Sequence, residues 1–310
     1  MAATTETSFT IIICTRNRRE ELRRTLESVS AVAGQRTAAW SLLVVDNGST
    51  DGTAELVTSL ATHFPIPVRH VVEERLGIAS ARSRGLQECA TPVATYLDDD
   101  VTLAPGWMLA VERAFLDPDV TGFGGRILPL FPSNAPADYM RAVTSERCGS
   151  TGLFDLGDAT QPLGQGLPGG YPHGANMGFR TSAGRVIGGF RPAFGWGRAD
   201  IPGEETDFFA RLAQSGGKLL YLPDAQVLHH LQPDKVGWEY LRRWHIGYGR
   251  ASVLMRPKPA PWMRALKLIE QASVWLRYSC VLLVDRSRSS SRPYRKVWQA
   301  EGRIAELLGR

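Results

Sequence analysis

Three consecutive carboxylates, Asp98, Asp99 and Asp100, close the apolar run Pro92-Val-Ala-Thr-Tyr-Leu97. Side by side and unpaired they repel one another, and a bound cation is the natural resolution. Hard oxygen donors suit Mg2+ or Mn2+, which typically bridge one or two carboxylates to the phosphates of a substrate. Alone, such a cluster also reads as a solvated, helix-capping turn. It has company. Glu204, Glu205 and Asp207 form a second acidic segment. A partly desolvated carboxylate there can serve as a base, and an acid in a first helical turn complements the helix dipole. His229 and His230 follow a short apolar run further on.

The elements that must position these groups alternate along the first hundred residues. Phe9–Cys14, Trp40–Val45 and Pro92–Leu97 read as buried strands, with a shorter strand at Val68–Val72. Helical spacing covers Arg19–Val32, Ala54–His63 and Ile78–Cys89. Such alternation predicts a parallel sheet with right-handed crossovers, and ligands of such sheets bind beyond the carboxyl ends of the strands. Residues 129–172 are rich in Pro and Gly and predict a long surface excursion. A helix at Glu205–Gln214, two short strands at Lys218–Leu222 and Gln226–Leu228 and a helical C-terminal region follow. Arg286–Arg292 reads as a linker before a last short helix.

The 310 residues suffice for one large α/β domain or two small ones, and 43% hydrophobic with 22% charged residues is an ordinary globular balance. Four scattered cysteines without a C-x-x-C pair fit a reducing compartment. A basic-then-apolar leader and an uncharged apolar stretch long enough to span a bilayer are both lacking, so the expected location is cytoplasmic. The net charge of +5 hides an asymmetry. Residues 241–310 carry 15 Lys and Arg against 4 Asp and Glu, net +11, and residues 1–240 carry 21 against 27, net −6. An acidic body with a basic tail implies an anionic partner for the tail.

Cys14-Thr-Arg-Asn-Arg18, Val45-Asp-Asn-Gly-Ser-Thr-Asp51, Gly77-Ile-Ala-Ser-Ala-Arg82 and Leu97-Asp-Asp-Asp100 follow one another after successive strands or at a helix start. His173-Gly-Ala-Asn-Met177, Gly203-Glu-Glu-Thr-Asp207 with Arg211, and Pro223-Asp-Ala-Gln-Val-Leu-His229 come later. In this order and spacing, over roughly residues 8–250, the chain closely resembles family 2 inverting glycosyltransferases. The resemblance implies the GT-A fold: α/β, Rossmann-like, with a mostly parallel central sheet flanked by helices, here carrying a helical C-terminal extension. It implies a nucleotide-sugar-binding half (1–104), an acceptor-binding and catalytic half (105–235) and a helical basic tail (236–310). The implied reaction moves a hexose-type sugar from a nucleoside diphosphate donor, UDP-linked or related, to a hydroxyl, with Mn2+ or Mg2+. That hydroxyl belongs to a glycan, a lipid-linked saccharide or a small natural product.

The resemblance also implies roles. Asp46 contacts the base, Thr15 and Arg16 line the nucleotide pocket, and Arg82 offers its planar fork to base or phosphates. Asp98, with Asp99 beside it, lies toward the ribose or the metal, and Asp100 ligates the metal. His229 is a further ligand, with His230 as the alternative. The base is the second acid of the pair, Glu205, with Glu204 or Asp207 as alternatives. Where relatives have Glu-Asp this chain has Glu204-Glu205, which adds one methylene of reach. Ser83 stands where relatives often have Asn, which shortens a bridge at the donor. Asn176 is expected near the sugar, Trp196 near an acceptor, and Arg243 of the Arg242-Arg243 pair near the leaving diphosphate. Several of these have plainer readings: Asp46 and Asp51 as turn formers, Arg82 and the arginine pair as solvated helix charges, Trp196 as core.

Rival classes are weaker. Gly164-Gln-Gly-Leu-Pro-Gly169 matches a dinucleotide fingerprint but follows no strand and opens no helix, and Asn47-Gly-Ser49 matches a glycosylation acceptor inside the proposed nucleotide loop. A sugar-phosphate nucleotidyltransferase needs a Gly-rich basic loop after the first strand, and Thr15-Arg-Asn-Arg-Arg19 has no glycine. A catalytically inactive nucleotide-sugar-binding module would have no use for Asp98, Asp100, Glu205 and His229 together. No nucleic-acid recognition motif accompanies the basic tail. In that tail Ala265, Leu268, Ile269, Ala272, Trp275, Leu276 and Ser279 share a helical face near Arg264, Lys267 and Arg277. The face suits either packing on the catalytic domain or peripheral contact with anionic lipid at the inner side of a membrane.

Overall fold

The computed structural model describes residues 7–145, 149–167, 170–195, 201–284 and 291–309. Trp196, residues 286–290 of the expected linker and two residues of the Gly164–Gly169 segment lie outside these. In chain order the first elements are β1 (Phe9–Thr15), α1 (Arg19–Val32), β2 (Trp40–Asp46), α2 (Thr53–Ala61), β3 (Val68–Val72) and α3 (Ile78–Glu88). Then come β4 (Val93–Asp98), β5 (Val101–Leu103), α4 (Trp107–Ala114), β6 (Val120–Leu130) and α5 (Ala137–Ser145). The remainder are β7 (Gln161–Leu163), β8 (Asn176–Arg180), α6 (Thr181–Val186), α7 (Glu204–Gln214), β9 (Lys218–His230), α8 (Trp238–Leu254), α9 (Pro261–Val284) and α10 (Arg292–Leu308).

The chain divides into two compact units that interleave in sequence. The first comprises residues 1–130, 154–192 and 204–230 and holds the whole nine-stranded sheet, ordered β3-β2-β1-β4-β8-β6-β9-β5, with β7 on β9. β3, β2, β1 and β4 run parallel, and β8 enters antiparallel between β4 and β6. All seven residues of β1 are buried, as a strand covered on both faces requires. Register aligns the strand ends: Thr15 stands opposite Asp46, and Cys14 opposite Asp98. The carboxyl edge of the parallel strands therefore collects the polar residues. β9 forms one strand where the sequence suggested two, because its 223–226 stretch bulges past Gly125–Ile127 and pairing then resumes at Val227. Its far end pairs antiparallel with β5, setting His229 opposite Val101.

The second unit comprises residues 131–153, 193–203 and 231–310. Residues 129–172, expected to be irregular, contain helix α5 of this unit and strand β7 of the first. Tyr139 and Val143 of α5 pack with Leu241 of α8 and Val297 and Trp298 of α10. α8 and α10 approach closely because Gly249 and Gly302 are bare: a Cβ at either would fall on the other helix's backbone. α10 is 17 residues long, so the last helix is not short. Among the described residues no helix is long and apolar enough to cross a membrane.

Candidate active site

The acid turn between β4 and β5 is held from below by α1. Thr25 Oγ1 donates to the carbonyls of Asp99 (2.8 Å) and Val101 (2.9 Å) and accepts from Val101 N–H. Above it, the loop after β1 supplies the partners. Thr15 Oγ1 donates to Asp99 Oδ2 at 2.7 Å, and Arg18 forks between Asp99 Oδ1 at 2.6 Å and Asp100 Oδ2 at 2.7 Å. Burial acts to lower the Arg18 pKa, but Asp99 and Asp100 outweigh it and hold the guanidinium above its ordinary value. Arg18 occurs in the first motif, yet nothing in its immediate neighbours ties it to acids 81 and 82 residues away. A second basic residue in a loop that must face three acids is the signal that could have found it.

The neighbouring loops are knitted to this one. Asn47 N–H donates to Thr15 O, and the Asn47 side chain holds Glu73 O, Arg75 O and Gly77 N–H. Asn17, at φ +51°, accepts from Thr50 N–H at 2.7 Å. Asp46 is buried and accepts from Ser49 N–H at 2.7 Å, the expected turn bond, while its other oxygen stands 3.6 Å from His70 Nε2. Arg16 is exposed at the rim of the same loop.

Asp98, Asp100 and His229 each offer one ligand atom, and the three atoms lie within 4.8 Å of one another. His229 Nε2 is 3.2 Å from Asp100 Oδ1, whereas His230 lies on the opposite side of the strand with its Nε2 2.8 Å from Thr102 Oγ1. Strand alternation thus separates the two histidines. Two carboxylates and an imidazole are a donor set suited to Mn2+, and somewhat less to Mg2+, so these residues fit a divalent cation.

Arg82 links this cluster to the second acidic group. Buried on α3, it donates to Glu204 Oε1 at 2.6 Å and Asp98 Oδ1 at 3.1 Å, and Glu205 Oε2 stands 4.0 Å away. Arg82 is no solvated helical arginine, since only 4% of its side chain is exposed. Burial works to lower its pKa, and Glu204, Asp98 and Glu205 more than reverse that. Burial raises Glu204, with Glu205 adding to it, and burial also raises Glu205, so the pair holds a proton more readily than free carboxylates. Gly174 makes room for the guanidinium: a Cβ there would fall on it. This is the physical content of glycine in His173-Gly-Ala-Asn. Cys14, nearby, has its thiol pushed up to about 12 by burial, so it is no nucleophile.

Other sequence candidates go elsewhere. Asp207 pairs with Arg191 and with Arg211 (Nε–Oδ2 3.0 Å), whose other nitrogens hold Ile187 O and Gly189 O. Asn176 is fully buried: it accepts from Trp107 Nε1 at 3.0 Å and donates to Arg126 O and Ala225 O, clamping three segments of the core. Arg243 belongs to the second unit, exposed on α8 with its guanidinium 5.7 Å from the Tyr240 ring centre, and Arg242 reaches Glu301 at 3.3 Å.

Residues 10–184 match the family model described as glycosyl transferase family 2. The chain is 30% identical over 253 residues to a pre-mycofactocin glycosyltransferase of Mycobacterium tuberculosis, covering 81% of this chain and 49% of that protein. It thus spans about half the length of that relative. Over 246 residues it is 26% identical to the succinoglycan biosynthesis protein ExoM of Rhizobium meliloti, covering 78% of this chain and 74% of that one. Among solved structures, the mannosyltransferase PcManGT from Pyrobaculum calidifontis, in complex with GDP-Man and Mn2+, superposes with a TM-score of 0.60 at 17% identity. That match covers 99% of this chain and 89% of the other. GalNAc-T7 with UDP, GalNAc and Mn2+ gives 0.56 at 19% identity, covering 81% and 48%. With the match to the family model extending over more than half its length, the chain belongs to glycosyl transferase family 2 and has the GT-A fold.

Proposed function

We propose that this chain transfers a sugar from a nucleoside diphosphate donor to a hydroxyl acceptor, with inversion at the anomeric carbon. The observation that carries the reading is Arg82, which ties the cation-fitting cluster Asp98, Asp100 and His229 to the acid pair Glu204 and Glu205. A base and a place for the leaving diphosphate are the two things such a transfer needs. Mn2+ or Mg2+ held by Asp98, Asp100 and His229 would offset the charge of the leaving diphosphate. The GDP-Man and Mn2+ bound by the archaeal mannosyltransferase, and the UDP and Mn2+ bound by GalNAc-T7, support a donor of this class.

Of the three acids on α7, Glu205 is the base. Glu204 is engaged by Arg82 and Asp207 by two arginines, whereas Glu205 is more open, with 21% of its side chain exposed against 6% for Glu204. Burial holds its pKa above the usual carboxylate value, which brings it closer to neutrality and strengthens it as a base. The acceptor hydroxyl gives its proton to Glu205 as its oxygen bonds to the anomeric carbon, and the bond to the diphosphate oxygen breaks on the opposite face. Thr15, Arg16 and Asp46 line the nucleotide side, and Arg18 keeps Asp99 and Asp100 in place. The acceptor is a hydroxyl of a glycan, a lipid-linked saccharide or a small natural product.

A thermal-shift panel of nucleoside diphosphates with and without Mn2+ tests the donor site, because a ligand that binds only the folded state raises the midpoint. A rise with one diphosphate that needs Mn2+ and disappears in Asp100→Ala is expected. No rise with any diphosphate would overturn the reading. Pyrophosphate release from a nucleoside triphosphate and a sugar phosphate would replace it with nucleotidyl transfer.

A further inference from the structure

Among the described residues, helix α9 packs on its neighbours with only one face. Gln271 accepts from Arg303 Nη1 at 3.1 Å, Trp275 Nε1 reaches Glu301 at 3.3 Å, and Tyr278 and Leu282 join the apolar cluster of the second unit. The opposite face is exposed and apolar. Trp262 (66% exposed), Leu266 (58%), Ile269 (64%), Leu276 (60%) and Leu283 (70%) lie along it, with Ser273 and Cys280 completing the row. These seven positions are spaced 4, 3, 4, 3, 4, 3, the 3.5-residue repeat of a coiled-coil seam, over about 32 Å of helix. The sequence grouped Leu268 and Ser279 with this face; both are half-buried, one step round the helix.

The row is nearly symmetric about Ser273. Laid antiparallel against a second copy about that residue, it sets Leu266 level with Cys280, and Trp262 and Ile269 within one residue of the levels of Leu283 and Leu276. The flanks agree. On one side Ala265 and Ala272 are small enough for close approach. On the other, Glu270 and Arg277 occupy equivalent positions of successive repeats, so an antiparallel partner brings Glu270 of one copy beside Arg277 of the other, twice by symmetry. A parallel pairing would set each of these charges against an alanine instead. A lipid surface gains nothing from an acid at the edge of the apolar row. Two helices of this length packed along their seams bury on the order of 1,000 Å2, the lower bound of a stable interface.

We propose that α9 is a homodimerisation helix, covered by α9 of a second copy of this chain in antiparallel register. Ser273→Cys then brings two thiols face to face at the dyad, whereas Cys280 of each copy sits about 21 Å from its symmetry mate, beyond disulfide reach. The expected result is a dimer in sedimentation at micromolar protein, with oxidative cross-linking in Ser273→Cys well above that of the unaltered chain. Leu276→Arg, at an exposed position, should give a folded monomer by circular dichroism and sedimentation. Glu270→Arg and Arg277→Glu should each weaken the dimer about 10-fold, and the two together should restore it. A chain that stays monomeric at about 100 μM, or one cross-linked through Cys280, would overturn the proposal. So would a monomer that sediments with phosphatidylserine vesicles and loses that binding in Leu276→Arg.

Discussion

Arg82→Met takes away the guanidinium that bridges Glu204 and Asp98 while keeping most of the side-chain volume. Arg82 and Glu204 have only 4% and 6% of their side chains exposed. Removing one partner from such a buried pair costs about 3–5 kcal/mol, because the other charge is left uncompensated. The carboxylate relieves that cost by taking up a proton, at about 1.4 kcal/mol for each pH unit above its unfolded pKa. In the unaltered chain burial already raises Glu204 and Glu205, so the folded pair keeps a proton that the unfolded chain has released. The stability from that proton is complete below the unfolded pKa and is lost as pH rises through the folded value. Losing Arg82 pushes the folded value further up, so the variant's deficit is flat while both folded chains keep the proton and grows only above the unaltered chain's folded value, about 8 for Glu204. The expected deficit is about 1–2 kcal/mol at pH 6.5 and about 3 kcal/mol at pH 9, roughly one pH unit above that value. Urea unfolding followed by circular dichroism and by tryptophan fluorescence, to which Trp40 and Trp107 of the first unit's core contribute, reads it. An equal deficit at both pH values, or one below about 1 kcal/mol at pH 9, would refute the buried-bridge argument.

Glu205→Gln should lower kcat by about 10²–10⁴ with the unfolding midpoint nearly unchanged, and Asp207→Asn should do the reverse, losing stability through Arg191 and Arg211; steady-state kinetics and urea melts on both separate them. His229→Ala should weaken Mn2+ binding about 10–100-fold by competition with a fluorescent chelator, and His230→Ala should leave it within about threefold. Equal losses in the two would contradict the assignment by strand face. Gly174→Ala should displace the Arg82 guanidinium and reproduce the pH-dependent deficit of Arg82→Met at smaller amplitude, measured by the same unfolding series.

Much of this was legible because it is local. The β-branched runs of β1, β2 and β4 are buried on both faces and so announce themselves, and helix α1 begins and ends where its spacing says. The acid turn is visible as composition. What the sequence did not reveal is set by partners far along the chain. Asn176 reads as a polar group free for a sugar, yet Trp107, 69 residues earlier, takes its oxygen. Asp207 reads as one of three equivalent acids until Arg191 and Arg211 claim it. Strand β9 reads as two strands because Pro223 and Asp224 interrupt it, while the bulge opposite Gly125–Ile127 lets the pairing resume.

The charges around Arg82 explain why the cation-fitting cluster and the proposed base must be considered together. Asp98, Asp99, Asp100, Glu204 and Glu205 meet two guanidiniums, Arg18 and Arg82, so full ionisation would leave a net charge of −3. A largely buried site does not tolerate that excess. The upward shifts of Glu204 and Glu205 are one half of the relief, since a proton retained by the pair brings the site to about −2. The divalent cation proposed for Asp98, Asp100 and His229 would be a second form of relief. The two forms of relief compete. A cation near Asp98 would draw on Arg82 less, leaving it freer to stabilise ionised glutamates, so filling the proposed donor set would favour the deprotonated form that Glu205 needs in its proposed role as base. Arg82 thus has to be an arginine: a planar fork reaches both acidic groups at once, and a lysine's single ammonium would serve one of them.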